Sequence, residues 1–258
     1  MRIEYRKSAR AHLRRVMKSN QQTKKMVITI RQHGFSLLEM AIVLIIVGVM
    51  ISGIFLPLTK HRELSDYAET QLRLKEIKES LIGYAIINGH LPCPTSETNP
   101  INLLRYGSAD PVCSLANDFP GMPLESKAGV LPWKDLGVHE VDAWGIPRSD
   151  KSDLWTGYWM YRVANEFTSA FSLSTLTSAS NIQVVKADGS SLTSMTEPAV
   201  AVICSTGKNK IADGHNASFE TVNPVYQSDA FSNAFDDVCV WITRPMLFYR
   251  MVQAGKLP

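Results

Sequence analysis

Residues 35–58 read FSLLEMAIVLIIVGVMISGIFLPL, an apolar run of 24 residues in which Glu39 is the one charged side chain. As an α-helix this run has a length of ~36 Å, which exceeds the ~30 Å hydrocarbon core of a bilayer. The pattern therefore predicts a transmembrane helix over residues 35–58. A carboxylate in such a helix is unfavourable unless it is paired or near the interface, so Glu39 is a candidate functional residue.

The distribution of charge predicts the orientation of this helix. Residues 1–34 contain ten of the 27 basic residues and one of the 24 acidic residues, a formal charge of +9. Residues 35–258 keep 17 basic and 23 acidic residues, a formal charge of −6. The basic segment is expected to stay in the cytoplasm while the acidic part is exported. An acidic exported part does not favour a nucleic-acid partner.

The sequence HGFSLLEM, residues 33–40, resembles the cleavage and methylation site of type IV pilins and type II secretion pseudopilins. The shared features are a glycine, an aromatic residue and a glutamate at the fifth position of the mature chain. The resemblance implies that a prepilin peptidase cuts after Gly34 and that Phe35 becomes the N-methylated terminus. It also implies that Glu39 pairs with the terminal amine of an adjacent subunit during assembly.

The same resemblance makes residues 1–34 a basic leader peptide that is removed. Most leaders of this family are shorter, and Met17 and Met26 are alternative starts that leave 18 or 9 residues before the cut. The expected cleavage site is the same for each start.

The sequence after the apolar run predicts an amphipathic helix that continues the transmembrane one over residues 59–89. Its apolar side chains recur at helical spacing between charged ones, and they are Leu64, Tyr67, Leu74, Ile77, Leu81 and Tyr84. The helix is expected to end near Asn88, because Gly89 suits a helix C-terminus and Pro92 prevents continuation.

Residues 90–258 are expected to form an exported globular pilin-like domain. Residues 90–157 are rich in Pro, Gly, Asn and Asp, which favours long loops with short helical pieces. Four segments have the β-branched and aromatic composition of short strands, namely residues 157–164, 181–187, 199–204 and 238–243. A long helix packed on a small antiparallel sheet gives an α+β fold.

Two shorter stretches of the exported part also resemble major pseudopilins. DAWGIP, residues 142–147, is similar to their Asp-Pro-Trp-Gly-Asn-Pro stretch, and CSTGKN, residues 204–209, is similar to their Ser-x-Gly loop. Because pseudopilins bind calcium after that loop, the resemblance implies candidate calcium ligands, which are Asn209, Asp213, Asp236 and Asp237. Lys208 and Lys210 lie in the same loop, and solvated turn residues are the alternative interpretation.

The four cysteines all follow the apolar run, and none belongs to a CxxC pair. In an oxidising compartment an even number of cysteines favours disulfides over a zinc site. Three pairings are possible. The pairing of Cys93 with Cys113 and of Cys204 with Cys239 is favoured because each closes a local loop. Buried free thiols are the alternative.

The motifs of common enzymes are missing from the sequence. It contains no GxSxG, no HExxH and no P-loop pattern. Ser205, Asp213 and His215 lie together in one polar loop, which does not supply the elbow or the separated partners of a hydrolytic triad. The sequence therefore predicts a protein that is not an enzyme.

The expected function is that of a minor pilin or pseudopilin in a type IV pilus or a type II secretion pseudopilus. Expected partners are other pilin subunits, the prepilin peptidase and the bacterial inner membrane, which the chain crosses once before it enters the filament. Calcium is the one cofactor that the resemblance implies. The alternatives are a pilus-tip adhesin or DNA-binding minor pilin, and a membrane-anchored periplasmic enzyme.

Overall fold

The computed structural model shows an α+β protein whose chain divides into two compact units, Met1–Phe55 and Leu56–Pro258. The described residues are 36–95, 98, 100–102, 104–113, 126–176, 182–194, 196–219, 224–232 and 234–257. Within these ranges the side chains of residues 52–61, 126 and 127 are not described.

The described part of the first unit is the beginning of helix α1, which runs from Leu37 to Asn88 and so has residues in both units. The carbonyl of Ser36 accepts the first helical hydrogen bond from the N–H of Met40 at 3.1 Å. The side chains of residues 36–51 are all exposed. Among the residues that the structure describes, none of the helices combines the length and the apolar character that crossing a membrane requires.

In the second unit α1 buries one face, as its helical spacing predicts. The buried side chains of this face are Thr70, Leu74, Ile77, Leu81, Ile82 and Ala85. The helix ends at Asn88, and Gly89 follows with a φ of +77° and donates its N–H to the carbonyl of Ala85. This confirms the predicted end. Leu64 is 65% exposed, contrary to the predicted pattern, because the buried face begins only at Thr70.

Beyond α1 the described residues of the second unit form short strands and two further helices. The strands in chain order are β1 (Ser126–Val130), β2 (Val141–Ile146), β3 (Thr156–Tyr158), β4 (Met160–Ala164), β5 (Gln183–Val185), β6 (Ala199–Ser205), β7 (Val225–Gln227) and β8 (Val238–Thr243). The helices are α2 (Trp133–Leu136) and α3 (Arg244–Gln253), and 3-10 turns cover Asn165–Phe167 and Gly214–Ser218.

The main sheet consists of four antiparallel strands in the order β1-β4-β6-β8. Every residue of the inner strand β6 is buried, and its sequence AVAVICS has the continuous small and β-branched character of a strand covered on both faces. The buried face of α1 belongs to the same core as the sheet, to which α3 adds Leu247 and Met251.

The structure corrects two of the predicted strands. The segment 157–164 is divided between β3, which pairs with β2, and β4, which joins the main sheet. Between them Trp159 is fully buried and donates its indole N–H to the carbonyl of His139 at 2.8 Å, which anchors the change of sheet. The segment 181–187 shortens to β5, which pairs in parallel with β7 and not with the antiparallel sheet. The chain between β5 and β7 includes β6, so it is long enough for the crossover that parallel pairing needs.

Residues 90–157 contain more strand than the sequence predicts. β1 reads SKAGV and β2 reads VDAWGI. Lys, Ala and Gly have low strand propensity and make up three of the five residues of β1, so its local sequence gives little strand signal. In β2 the strand formers Val141, Trp144 and Ile146 are interrupted by Asp, Ala and Gly. Pairing with β4 and with β3 makes these segments strands.

Candidate metal centre and amino-terminal segment

The antiparallel pairing of β6 and β8 brings two distant parts of the chain to one edge of the main sheet. Ser205 at the end of β6 lies opposite Val238 at the start of β8. The loop that follows β6 therefore approaches the residues that precede β8. Three carboxylates meet there, and we name them the acidic cluster: Asp213, Asp236 and Asp237.

The acidic cluster has the geometry of a cation site. One carboxylate oxygen from each residue lies within 4.8 Å of the other two. Asp236 and Asp237 are only 7% and 4% exposed, and the Oδ1 atom of each is buried without a hydrogen-bond partner among the described residues. A buried carboxylate oxygen that lacks a partner is unfavourable, and a hard cation supplies the missing interaction. The donor set therefore fits a calcium ion.

The second oxygen of each buried carboxylate is held by amide groups. The N–H of Asn209 donates to Asp236 Oδ2 at 2.8 Å. The N–H of Asp213 donates to Asp237 Oδ2 at 2.8 Å, and Asn216 Nδ2 donates to the same oxygen at 3.0 Å. The N–H of Asp236 in turn donates to Asp213 Oδ2 at 3.2 Å. These bonds fix the carboxylates in place and leave the Oδ1 atoms of the two buried ones for another ligand.

Asn209 lies beside the acidic cluster but directs its side-chain oxygen elsewhere. Its Nδ2 is 3.3 and 3.2 Å from the two carboxylate oxygens of Asp213. Its Oδ1 accepts the N–H of Ile211 at 2.7 Å. Of the four ligands predicted from the sequence, three therefore converge through oxygen atoms and the fourth positions the loop around them.

The acidic cluster carries more negative charge than its surroundings favour. Burial raises the pKa of Asp237 to about 7 and also raises the pKa of Asp236. Repulsion by the nearby Asp213 carboxylate adds to both increases. Lys208 of the same loop pairs with α1 instead, where its Nζ lies 3.1 Å from a carboxylate oxygen of Glu63. A bound divalent cation would favour the ionised form of both buried carboxyls at neutral pH.

Gly207 allows the loop to pass close to the acidic cluster. Its φ is +62°, a left-handed conformation that favours glycine. A Cβ atom at this position would collide with the main-chain carbonyl of Asp236. Both the positive φ and the close contact therefore require glycine at this position of the CSTGKN stretch.

The structure joins the two stretches that resemble pseudopilins. The Ser205 hydroxyl donates to Asp142 Oδ2 at 2.5 Å, and both residues are buried. Burial raises the pKa of Asp142. Arg73 of α1 donates to the carbonyls of Val141 and Asp142 at 2.8 and 2.9 Å. The sequence gives no signal for this connection, which engages Ser205, the serine that shares a polar loop with Asp213 and His215.

Both cysteine pairs are disulfides in the structure. Cys93 is joined to Cys113 and Cys204 to Cys239, with Cα atoms 5.5 and 4.2 Å apart. This is the pairing favoured from the local loops. Cys204 and Cys239 lie directly opposite each other on β6 and β8. The second disulfide therefore links the two strands whose ends carry the acidic cluster.

The predicted processing residues fall partly within the described chain. Gly34 and Phe35 lie outside the described residues. Ser36 and Glu39 are described and exposed, and two hydrogen bonds join them. Glu39 lies in the first turn of α1, where the helix dipole favours a negative charge.

Comparison with known families finds a match for the amino-terminal segment. A family model described as a prokaryotic N-terminal methylation motif matches residues 30–55, which include Gly34, Phe35 and Glu39. Comparison with curated proteins and with solved structures finds no match for the chain. The amino-terminal motif therefore supports a type IV pilin-like or pseudopilin-like protein.

Proposed function

We propose that the protein is a structural or assembly subunit, a minor pilin or pseudopilin, of a type IV pilus or a type II secretion pseudopilus. The observation that carries this proposal is the methylation motif at residues 30–55. A prepilin peptidase removes residues 1–34 and methylates Phe35. The α+β fold of a long helix followed by short strands is compatible with a pilin-like domain. The size of residues 90–258 favours a minor, priming or tip component over the main subunit.

In this proposal residues 35–58 cross the inner membrane once and residues 1–34 begin on the cytoplasmic side. The globular part lies in the periplasm before the subunit enters the filament. Two disulfides in this part support export, because disulfides persist in oxidising compartments.

Assembly then follows from one repeated contact between helices. Cleavage creates a positively charged amine at Phe35, and an apolar environment makes an unpaired charge of this kind unfavourable. Glu39 of an adjacent subunit supplies the opposite charge. Its exposure in the structure is compatible with that contact. Head-to-tail contacts that do not close into a ring generate an open filament.

We also propose that the acidic cluster binds calcium. The unpartnered Oδ1 atoms of Asp236 and Asp237, with the carboxylate of Asp213, are the ligands in this proposal. The ion supplies positive charge and no reaction chemistry. Its role is structural, because it ties the loop after β6 to the residues before β8. Calcium is favoured over magnesium because it accepts irregular sets of oxygen ligands.

Mass spectrometry of the amino terminus tests the proposed processing. The full chain is purified from membranes of two strains that differ only in the prepilin peptidase. The expected terminus is methylated Phe35 with the peptidase and the complete leader without it. A chain that still begins at Met1, Met17 or Met26 in the strain with the peptidase contradicts the proposal.

Copurification tests the proposed assembly role. Glu39→Gln is expected to be processed but to lose the other filament subunits, because the amide has no charge to pair with a terminal amine. Glu76→Gln is the matched control, since this exposed residue lies on the same helix outside the motif. Equal recovery of partner subunits with both variants contradicts the role of Glu39.

A further inference from the structure

The first turn of α1 is closed by reciprocal hydrogen bonds. The N–H of Glu39 donates to Ser36 Oγ at 3.2 Å, and the N–H of Ser36 donates to Glu39 Oε2 at 3.0 Å. Ser36 also supplies the first helical carbonyl, which accepts the N–H of Met40. Ser36 is therefore the N-cap residue and Glu39 the third helical residue, the arrangement known as a capping box.

This capping box takes up the donors that would extend the helix towards the amino terminus. In an α-helix each N–H donates to the carbonyl four residues earlier, so a longer helix would direct the Glu39 N–H to residue 35. The Ser36 hydroxyl accepts this N–H instead. The Glu39 carboxylate likewise accepts the Ser36 N–H, which a longer helix would direct to residue 32. Helix α1 accordingly begins at Leu37.

The position of the capping box relative to the processing motif gives it a consequence for cleavage. The bond between Gly34 and Phe35 lies one residue before the N-cap in the sequence. A peptide bond within a helix must be unwound before a peptidase can bind it, so proteolysis favours segments outside regular structure. The match of the methylation motif to residues 30–55 is independent of the hydrogen bonds and fits a peptidase substrate at this place.

We propose that Ser36 is a positioning residue for prepilin cleavage. Its capping box with Glu39 keeps α1 from extending towards the amino terminus over the Gly34–Phe35 bond. This inference rests on the proposed function. It gives Glu39 two successive roles. In the precursor its carboxylate accepts the Ser36 N–H, and after cleavage its charge pairs with a neighbouring terminal amine.

Cleavage of the full-length precursor in membrane vesicles by purified prepilin peptidase tests the inference. Ser36→Ala removes the hydroxyl and is expected to lower kcat/KM about fivefold, the factor that corresponds to the ~1 kcal/mol typical of a lost N-cap. Ser36→Thr and Ser36→Asn keep a capping oxygen and are expected to restore most of the rate. Because asparagine caps helices but differs in shape from serine, its rescue separates capping from recognition of the serine by the peptidase.

Hydrogen exchange of the same precursors reports on the helix itself. The amides of residues 37 and 38 are expected to gain protection in Ser36→Ala, because an extended helix gives them carbonyl acceptors four residues earlier, and to lose it again in Ser36→Asn. Equal cleavage of wild type and Ser36→Ala overturns the inference, and so does an asparagine variant that caps the helix but is cut slowly. Failure of the peptidase to cut the wild-type chain instead overturns the proposed function, so the two failures are distinguishable.

Discussion

Replacing Asp237 by asparagine is expected to stabilise the cation-free protein near pH 8 and to remove most of its response to calcium. In the native state burial raises the pKa of Asp237 from 3.8 to about 7. Between these values the native carboxyl keeps a proton that the unfolded chain has released. The free energy of unfolding therefore falls as the pH rises through this window.

The difference between the two pKa values sets the size of the effect. Once the carboxyl is ionised in both states, its burial lowers the free energy of unfolding by about 4 kcal/mol. Asparagine keeps a side-chain oxygen for the N–H of Asp213 and for Asn216 Nδ2, which both donate to Asp237 Oδ2. Its amide group then occupies the position of the unpartnered Oδ1. Asp237→Asn should therefore recover up to about 4 kcal/mol without a cation.

Calcium should reverse the order of the two proteins. A cation that binds only the native state adds ~2.7 kcal/mol at a hundred times its dissociation constant. Wild type should gain this amount near pH 8 and much less near pH 5, where protons compete for Asp237. The variant lacks a charged ligand and should gain little at either pH.

The assay is urea unfolding of the full chain in detergent, followed by tryptophan fluorescence, in chelator, in magnesium and in calcium. The difference between variant and wild type reports the ionisation of Asp237 together with its repulsion by Asp213 and Asp236, which are present in both proteins. Glu76→Gln, an exposed change on α1, controls for the loss of one negative charge. The reasoning is refuted if the difference is independent of pH in chelator, or if Asp237→Asn responds to calcium as wild type does.

Three further changes test the packing around this site. Gly207→Ala should weaken calcium binding and stability because its Cβ collides with Asp236, whereas the control Gly189→Ala has a similar positive φ and open space. Equal calcium affinities of the two variants in calorimetric titration would contradict the role of the close contact. Leu81→Ala removes a fully buried side chain of α1 and should lower the free energy of unfolding by ~2–5 kcal/mol in urea titrations; a change below ~1 kcal/mol would place Leu81 outside the core. Replacing Cys204 and Cys239 by serine opens a loop with a sequence separation of 35 residues and should lower the thermal midpoint, with a loss of ~2–4 kcal/mol; an unchanged midpoint would contradict that contribution.

Local pattern was sufficient to predict the features that one segment determines by itself. The end of α1 at Asn88 follows from the glycine beside it, and the burial of Leu74, Ile77 and Leu81 follows from helical spacing. The pairing of the cysteines follows from short loops. In each case the residues that decide the structure are close together in the chain.

Features that depend on distant pairing were not predictable in the same way. The strand β1 has little strand propensity and is a strand because β4 pairs with it. The strands β5 and β7 pair in parallel although β6, a strand of the main sheet, lies between them in the sequence. The bond between Ser205 and Asp142 joins residues 63 positions apart.

The candidate metal site was predictable only as a set of residue types. The resemblance to pseudopilins supplied Asp213, Asp236 and Asp237, and the structure brings their carboxylates together. It could not supply the orientation of Asn209, whose oxygen is engaged by a neighbouring N–H. That orientation depends on a turn two residues long, which composition does not specify.

The disulfide between β6 and β8 also determines how a pulled subunit carries mechanical load. Tension applied to β6 can be transmitted to β8 through the bond between Cys204 and Cys239, so the chain between the two cysteines does not carry it. All three carboxylates of the acidic cluster lie in that intervening chain. With a separation of 35 residues, the bond keeps about 120 Å of extended chain from being drawn out. Force applied along the backbone would therefore bypass the site and leave its ligand geometry intact.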